Sequence, residues 1–499
     1  MGPISTVTAL PKGSLDKALF RGIAWTGTVK WGSQVLSWVC MIVVARLLSP
    51  GDYGLIAMAG VFLALIGVLN EFGFGASVVV LRHLTESQIR RIHTLAGCFG
   101  VIAFAIASGI AVPAGRYFRS SELPLVMIVA STGFIFAGMR SVPGALLEKE
   151  LRFKFLALIE GGQAVLATVT TVIIAWLGGG YWALVFGVLA GTGGSAMALV
   201  AARPVRYAWP FGESLREVLQ LSSHVLINRL SWSIASSADI FIGGRMLGQS
   251  VIGAYSFGCM IANVPMEKVT ALMSRVMPAF YSSLQSDPSA MRRYLLLVTE
   301  GVSLITFPVG IGVALVADDF VRLVFGAKWE QAIAPLQILA AWAAVRSIIG
   351  LAPPIAYVTN GSRVAMFNGL LCASLFPVGF FIGSHWGPVG LAWAWVVVQP
   401  IAFFGLCRHV LKATGLSFAR YVQALKPALI GVSIMAIAVV GFRALSPQEL
   451  PQVARFTLEC LIGTVIYGVT LIVLHSDRVR KVRELVWVAR EERLKETST

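Results

Sequence analysis

Apolar runs of about twenty residues or more, each closed by a charged or turn-forming cluster, follow one another along almost the whole chain. A helix needs about 20 apolar residues to cross about 30 Å of hydrocarbon, so the pattern predicts about fourteen membrane-spanning helices. They fall near residues 22–46, 53–81, 93–115, 123–147, 156–177, 181–202, 219–247, 253–280, 294–317, 332–358, 365–384, 388–408, 427–445 and 456–475. The first connection is short. Arg46 closes one run, Pro50 and Gly51 turn the backbone, and Tyr53 sits where aromatic rings favour the membrane interface, which predicts a tight hairpin.

A second hairpin of the same kind follows about 200 residues later, at Gly244-Arg245-Met246-Leu247-Gly248-Gln249-Ser250 up to Tyr255. The two signatures join spans one to two and seven to eight, so the repeat is six helices long and its halves run parallel. Arg152-Phe153 after the fourth span and Arg363 after the tenth stay in register. The expected organisation is a segment 1–21, a lobe 22–207, a second lobe 208–415, two more spans in 416–476 and a tail 477–499. In that tail Val479, Val482, Leu485, Val486 and Ala489 share one helical face, so it is either an interfacial amphipathic helix or a solvated charged tail.

Composition supports the class: 57% of the 499 residues are hydrophobic and 13% charged, with a mean hydropathy of +0.79, the balance of an all-α integral membrane protein. The segment before the first run carries Lys12, Lys17 and Arg21, and the run is too long for a signal-peptide core, so the first helix is expected to remain in the mature chain. The formal charge of +16 does not point to nucleic acid, because the basic residues sit between apolar runs rather than on one surface. With both termini cytoplasmic, the inner loops and ends hold about 26 Lys and Arg against about 8 outside, a threefold bias that orients the chain. The six cysteines are scattered singly with no C-x-x-C pair, which suits core packing.

No phosphate-binding loop, zinc-protease helix, nucleophile elbow or dinucleotide fingerprint occurs. The six histidines are isolated, and no metal or cofactor is expected. That leaves a transporter without its own ATPase, not an enzyme. Charges inside spans cost a few kcal/mol each unless they face a cavity or a partner, so they mark candidate sites. Lys30, Arg140, Arg229, Arg275 and Arg346 all fall about 8 to 18 Å from the inner surface and are candidates for one anion-binding chamber. Lys268, beside Glu267, belongs to the chamber or to a local polar break. Glu71, Asp239 and Glu300 are candidates for coupling or gating, as partners of those cations in the empty state or as cation sites. The excess of buried positive charge points to an anionic substrate, and the alternative is a set of ion pairs that latch the halves together. Prolines inside spans, among them Pro143, Pro265, Pro308, Pro377 and Pro400, are hinges or static kinks. The tryptophan groups near Trp31 and Trp393 suit a membrane belt better than a sugar platform.

The stretch from Arg46-Leu47-Leu48-Ser49-Pro50-Gly51-Asp52-Tyr53-Gly54 to Phe72-Gly73-Phe74-Gly75, with Leu147-Glu148-Lys149-Glu150-Leu151-Arg152-Phe153 after the fourth span, resembles the Wzx-type polysaccharide repeat-unit flippases of the multidrug/oligosaccharidyl-lipid/polysaccharide exporter superfamily, most of all the colanic acid exporter branch. That resemblance implies two six-helix lobes in a V that open alternately to either side. The implied substrate is an undecaprenyl-diphosphate-linked oligosaccharide, moved across the bacterial inner membrane for exopolysaccharide or lipopolysaccharide synthesis. Membrane lipids and a polysaccharide polymerase with its export machinery are the implied partners. A cation-coupled drug or metabolite antiporter of the same superfamily, an exporter of the peptidoglycan precursor, and a many-spanning glycosyltransferase or polymerase are the alternatives.

Overall fold

A computed structural model describes residues 37–70, 74–81, 84–209, 216–284, 287–359, 361–447 and 450–474. Lys30, Glu71 and the expected amphipathic tail lie outside them. The described chain is helical throughout: α1 (Ser37–Leu47), α2 (Pro50–Asn70), α3 (Phe74–Val80), α4 (Glu86–Phe118), α5 (Leu123–Ser131), α6 (Gly133–Lys149), α7 (Phe153–Trp176) and α8 (Trp182–Ala202) form the first half. The second half holds α9 (Arg216–Leu247), α10 (Gln249–Ser283), α11 (Pro288–Val324), α12 (Ile333–Ile349), α13 (Ala352–Val358), α14 (Ser362–Ser384) and α15 (Gly387–Ala413), followed by α16 (Phe418–Leu445) and α17 (Gln452–Leu474). Helices are the only open-ended elements that satisfy every backbone group within hydrocarbon. Eleven spans among the described residues are long and apolar enough to cross a membrane, and α9 and α10, at 32 and 35 residues, have the length.

Helix ends follow local chemistry. Thr85 and Gln88 form a reciprocal capping box that starts α4. Two expected spans are broken: α5 gives way to α6 at Thr132, and α12 ends before Pro353, whose missing N–H suits the first turn of α13. The span expected to stop at 317 continues to Val324, which places Asp318 and Asp319 on a helix rather than in a loop.

The two hairpin signatures meet at one end of the bundle. Arg46 and Arg245, Pro50 and Gln249, and Gly54 and Gly253 are each 199 positions apart, and the last two pairs face each other between the halves. A Cβ on Gly54 would fall against the Gln249 carbonyl, 2.8 Å from its carbon, and one on Gly253 would lie 2.8 Å from the Pro50 carbonyl carbon. Backbone touches backbone here, which only residues without a side chain permit.

The hairpin end is pinned further by exchanged caps. Arg46 donates through Nε to the Val324 carbonyl (2.7 Å) and through Nη2 to that of Leu323 (2.6 Å), the orphan end of α11. In return Lys328 Nζ donates to the Arg46 and Leu48 carbonyls (2.7 and 2.6 Å), and Trp329 Nε1 to that of Ala45 (2.9 Å), at the end of α1. Cations at helix C-termini also match the macrodipole. Gln249 Nε2 donates to the Gly51 carbonyl at 3.0 Å, and the Tyr53 ring meets Phe257 and Trp329 edge-on, with centroids 5.2 and 5.1 Å apart.

Candidate functional site

Among the described residues Arg140, Asp239 and Arg346 fall into two polar centres, one in each half. In the first half Arg140, half-buried on α6, donates through Nη1 to Gln163 Oε1 of α7 and to Ser195 Oγ of α8, both at 2.9 Å. No carboxylate among the described residues lies within ion-pair distance of it. Two neutral acceptors engage one of its three nitrogens, so the rest of the fork can still meet an anion.

In the second half Arg346 of α12 donates through Nη2 to Asn263 Oδ1 of α10, and its Cζ lies 5.8 Å from the centroid of the Trp395 ring on α15. It too has no described carboxylate at ion-pair distance. Trp395 connects it to Asp239. The indole Nε1 donates to Asp239 Oδ2 and to the Tyr255 hydroxyl, each at 3.2 Å. Tyr255 in turn donates to Asp239 Oδ2 at 3.0 Å, and the Ile240 N–H donates to Oδ1 at 2.7 Å. Asp239 is 3% exposed, so an unpartnered carboxylate would be costly here, and these three donors are what make its burial tolerable. Trp342 Nε1 donates to Gln399 Oε1 at 2.9 Å and ties α12 to α15 beside the centre. Phe376 and Phe380 of α14 pack on Trp395, with centroids 4.7 and 5.3 Å away, and fix its ring.

The remaining candidates sort by helix. Arg229 lies on α9 about 15 Å along the axis from Asp239, and Arg275 on α10 about 18 Å from Asn263, at 1.5 Å per residue. Glu300 lies half-buried on α11. Asp239 and Arg346 are therefore brought together, through Trp395 rather than as an ion pair, whereas Arg140 stands apart in the other half. Sequence reasoning did not find Gln163, Ser195, Asn263 and Tyr255, because neutral polar residues in apolar runs carry no spacing signal, and it grouped Trp395 with the membrane belt, whereas the ring is 4% exposed and packed inside. It also missed a third centre, a charged one. Asp319 (1% exposed) accepts from Arg443 and Arg455, and Glu459 (1% exposed) accepts from Arg443 Nε and Nη2 at 2.9 and 2.7 Å, joining α11, α16 and α17.

Beside this centre an apolar groove of about 690 Å³ runs between α1, α10, α11, α16 and α17. Ile261 and Val264 line it, on either side of Asn263 in sequence. Among the described residues no group of three or more His, Cys, Asp or Glu is arranged to hold a metal ion.

Known proteins are similar to this chain in sequence and in fold. Residues 43–334, more than half of the chain, match the family model described as "Polysaccharide biosynthesis protein". The chain is 25% identical over 432 residues to the lipopolysaccharide biosynthesis protein WzxC of Escherichia coli strain K12, covering 83% of this chain and 85% of that one. It is 23% identical over 480 residues to the succinoglycan biosynthesis transport protein ExoT of Rhizobium meliloti strain 1021, covering 94% and 96%. Among solved structures, the lipid II flippase MurJ in an inward closed conformation superposes with a TM-score of 0.73 at 14% identity, covering 91% of this chain and 99% of that one. An inward-facing multidrug-resistance MATE transporter reaches 0.54 at 18% identity, covering 77% and 96%. The fold is that of these transporters, and by its sequence the chain belongs to the family of polysaccharide biosynthesis proteins.

Proposed function

We propose that this protein moves an undecaprenyl-diphosphate-linked oligosaccharide from the cytoplasmic to the outer leaflet of a bacterial inner membrane by alternating access. One observation carries the reading: each half holds an arginine within its membrane-spanning helices, Arg140 and Arg346, partnered by neutral groups and free of described carboxylates. The transport and biosynthesis relatives, and the flippase fold, support it. A diphosphate and its sugars cannot enter hydrocarbon unaided, so a path across must replace their water with protein donors. Planar guanidinium forks suit phosphate oxygens, and two of them in separate halves can be brought to one headgroup or withdrawn as the halves rock. Lys30, Arg229 and Arg275 are assigned supporting roles. Asp239, with Glu71 and Glu300, is assigned to coupling or gating, and the Trp395 indole gives Asp239 a direct route to the Arg346 environment. The apolar groove is assigned to the polyprenyl chain.

The hairpin end is proposed to face outward, with both termini cytoplasmic, following the threefold excess of basic residues at the opposite end. The glycine crossing and the exchanged caps then close the outer side of the cavity. The test is polymer output in a deletion strain complemented with variants matched for protein level. Arg140→Ala and Arg346→Ala should each reduce polymer at least tenfold, and Arg346→Lys, which keeps charge without the fork, should restore only part. Normal polymer from both alanine variants overturns the anion-site assignment, and hypersensitivity of the deletion strain to cationic dyes would favour the antiporter instead.

A further inference from the structure

A pocket of about 640 Å³ sits at the basic end of the second half, its lining residues Ile348 and Ile349 two and three positions beyond Arg346 on α12. Leu295, Ile349, Phe404, Leu416, Phe418 and Tyr421 supply most of an apolar lining drawn from α11, α12, α15 and α16. It lies where the chain breaks between α12 and α13. Arg408 and Lys412 complete the lining. They are four residues apart and so share a face of α15, and both are exposed. Neither side chain has a hydrogen bond or an ion pair among the described residues.

The surrounding charge is mostly basic. Arg292, Arg293, Arg420 and Lys426 lie on the adjoining ends of α11 and α16. Arg292 Nε is spent on the Thr414 carbonyl at 3.1 Å. The acids nearest Leu295 in sequence are Glu300, five residues along α11, and Asp287, which caps the helix start: the Ala290 N–H and the Ser289 hydroxyl and N–H all donate to its Oδ1, and they hold its carboxyl below the usual carboxylate range.

We infer that this pocket is a binding site for an anionic glycerophospholipid of the cytoplasmic leaflet, with its phosphate on Arg408 and Lys412 and its acyl chains on the apolar floor. Cations above an apolar cleft between helices match a charged headgroup with tails, and basic pockets on the cytoplasmic side favour such lipids. Length favours a phospholipid over the long polyprenyl chain. From Lys412 to Phe404 the lining on α15 spans about 12 Å, room for the glycerol region and the upper part of two tails. The pocket is also built wholly from the second half and α16, so a lipid there bridges the two without entering the space between the halves. A site of this kind makes the docking of α16 depend on headgroup charge.

The inference takes its leaflet from the orientation proposed above, but its test does not. Purified full-length protein in neutral detergent is titrated with phosphatidylglycerol, phosphatidylcholine of the same acyl chains, glycerol phosphate and undecaprenyl phosphate, reading Tm and, by native mass spectrometry, retained lipid. Phosphatidylglycerol should raise Tm and be retained, phosphatidylcholine should do so at least fivefold more weakly, and glycerol phosphate not at all. Arg408→Ala with Lys412→Ala, and separately Arg408→Glu with Lys412→Glu, should weaken phosphatidylglycerol at least fivefold, whereas Arg90→Ala with Arg152→Ala at the same end of the first half should not. Equal binding of the two phospholipids, or phosphatidylglycerol binding that survives both double variants, overturns the site. Preferential, charge-dependent retention of undecaprenyl phosphate would overturn the choice of a phospholipid and make the pocket a waiting site for the carrier. Failure of the transport reading would leave these results unchanged.

Discussion

Adding one methyl group to Gly54 should open the hairpin end. A Cβ there would overlap the Gln249 carbonyl oxygen and stand 2.8 Å from its carbon, where non-bonded atoms prefer about 3.5 to 4.0 Å, so the starts of α2 and α10 must separate by more than about 1 Å. The obstacle is backbone, which cannot rotate aside as a side chain can. A local repair is therefore closed off, and the strain falls on the contact between the halves. Overpacking of this kind costs about 1 to 3 kcal/mol. If it is relieved by parting the halves, the ratio of closed to open forms drops by about 5- to 150-fold. The assay is labelling of Met58→Cys in whole cells by a membrane-impermeant thiol reagent. Met58 is fully buried one turn beyond Gly54, and its Cε packs at Gly244. Gly54→Ala and Gly253→Ala should each speed labelling by a factor in that range. Gly60→Ala, on the same helix with open space at its Cβ, should leave it unchanged. Unaltered labelling in both interfacial variants, at normal protein levels, would refute the idea that this crossing closes the outer side.

Four further outcomes follow from the geometry. Trp329→Phe removes the indole N–H from the Ala45 carbonyl at the end of α1, so it should push the same labelling assay toward the open form by about 1 to 3 kcal/mol, and less if water reaches the carbonyl. Asp319→Asn leaves Arg455 without its carboxylate and Arg443 with Glu459 alone; because the arginine side chains are 32% and 38% exposed, the loss should be about 1 to 3 kcal/mol rather than the full cost of a buried pair, seen as a lower Tm and easier proteolysis between α16 and α17. Tyr255→Phe takes one of three donors from Asp239 and should destabilise the second half by a similar amount, whereas Gln163→Leu, which frees Arg140 from one neutral acceptor, should change transport more than Tm.

The sequence by itself determined the class and the helical character of its spans. Apolar runs long enough to span hydrocarbon leave the backbone no alternative to a helix, so every expected span from residue 93 on meets a helix, although α4, α11 and α16 start seven, six and nine residues before the expected points and α11 ends seven beyond. The Arg46 and Arg245 hairpins were legible because a turn needs Gly and Pro at fixed places. That Arg140, Asp239 and Arg346 sit within spans was equally plain, since a charge in an apolar run stands out whatever surrounds it. Which groups meet was decided only by tertiary structure. Asp239 and Arg346 lie 107 positions apart and are joined by Trp395 from a third helix. Gln163 and Ser195 become partners of Arg140 only when α7 and α8 pack beside α6. Asp319 was hidden by a helix that ran seven residues beyond its expected end. Hydrophobic patterning is a property of one helix against its solvent, and a run of letters carries it. The pairing of polar groups depends on how helices are rotated and set against one another, which packing across the whole bundle decides.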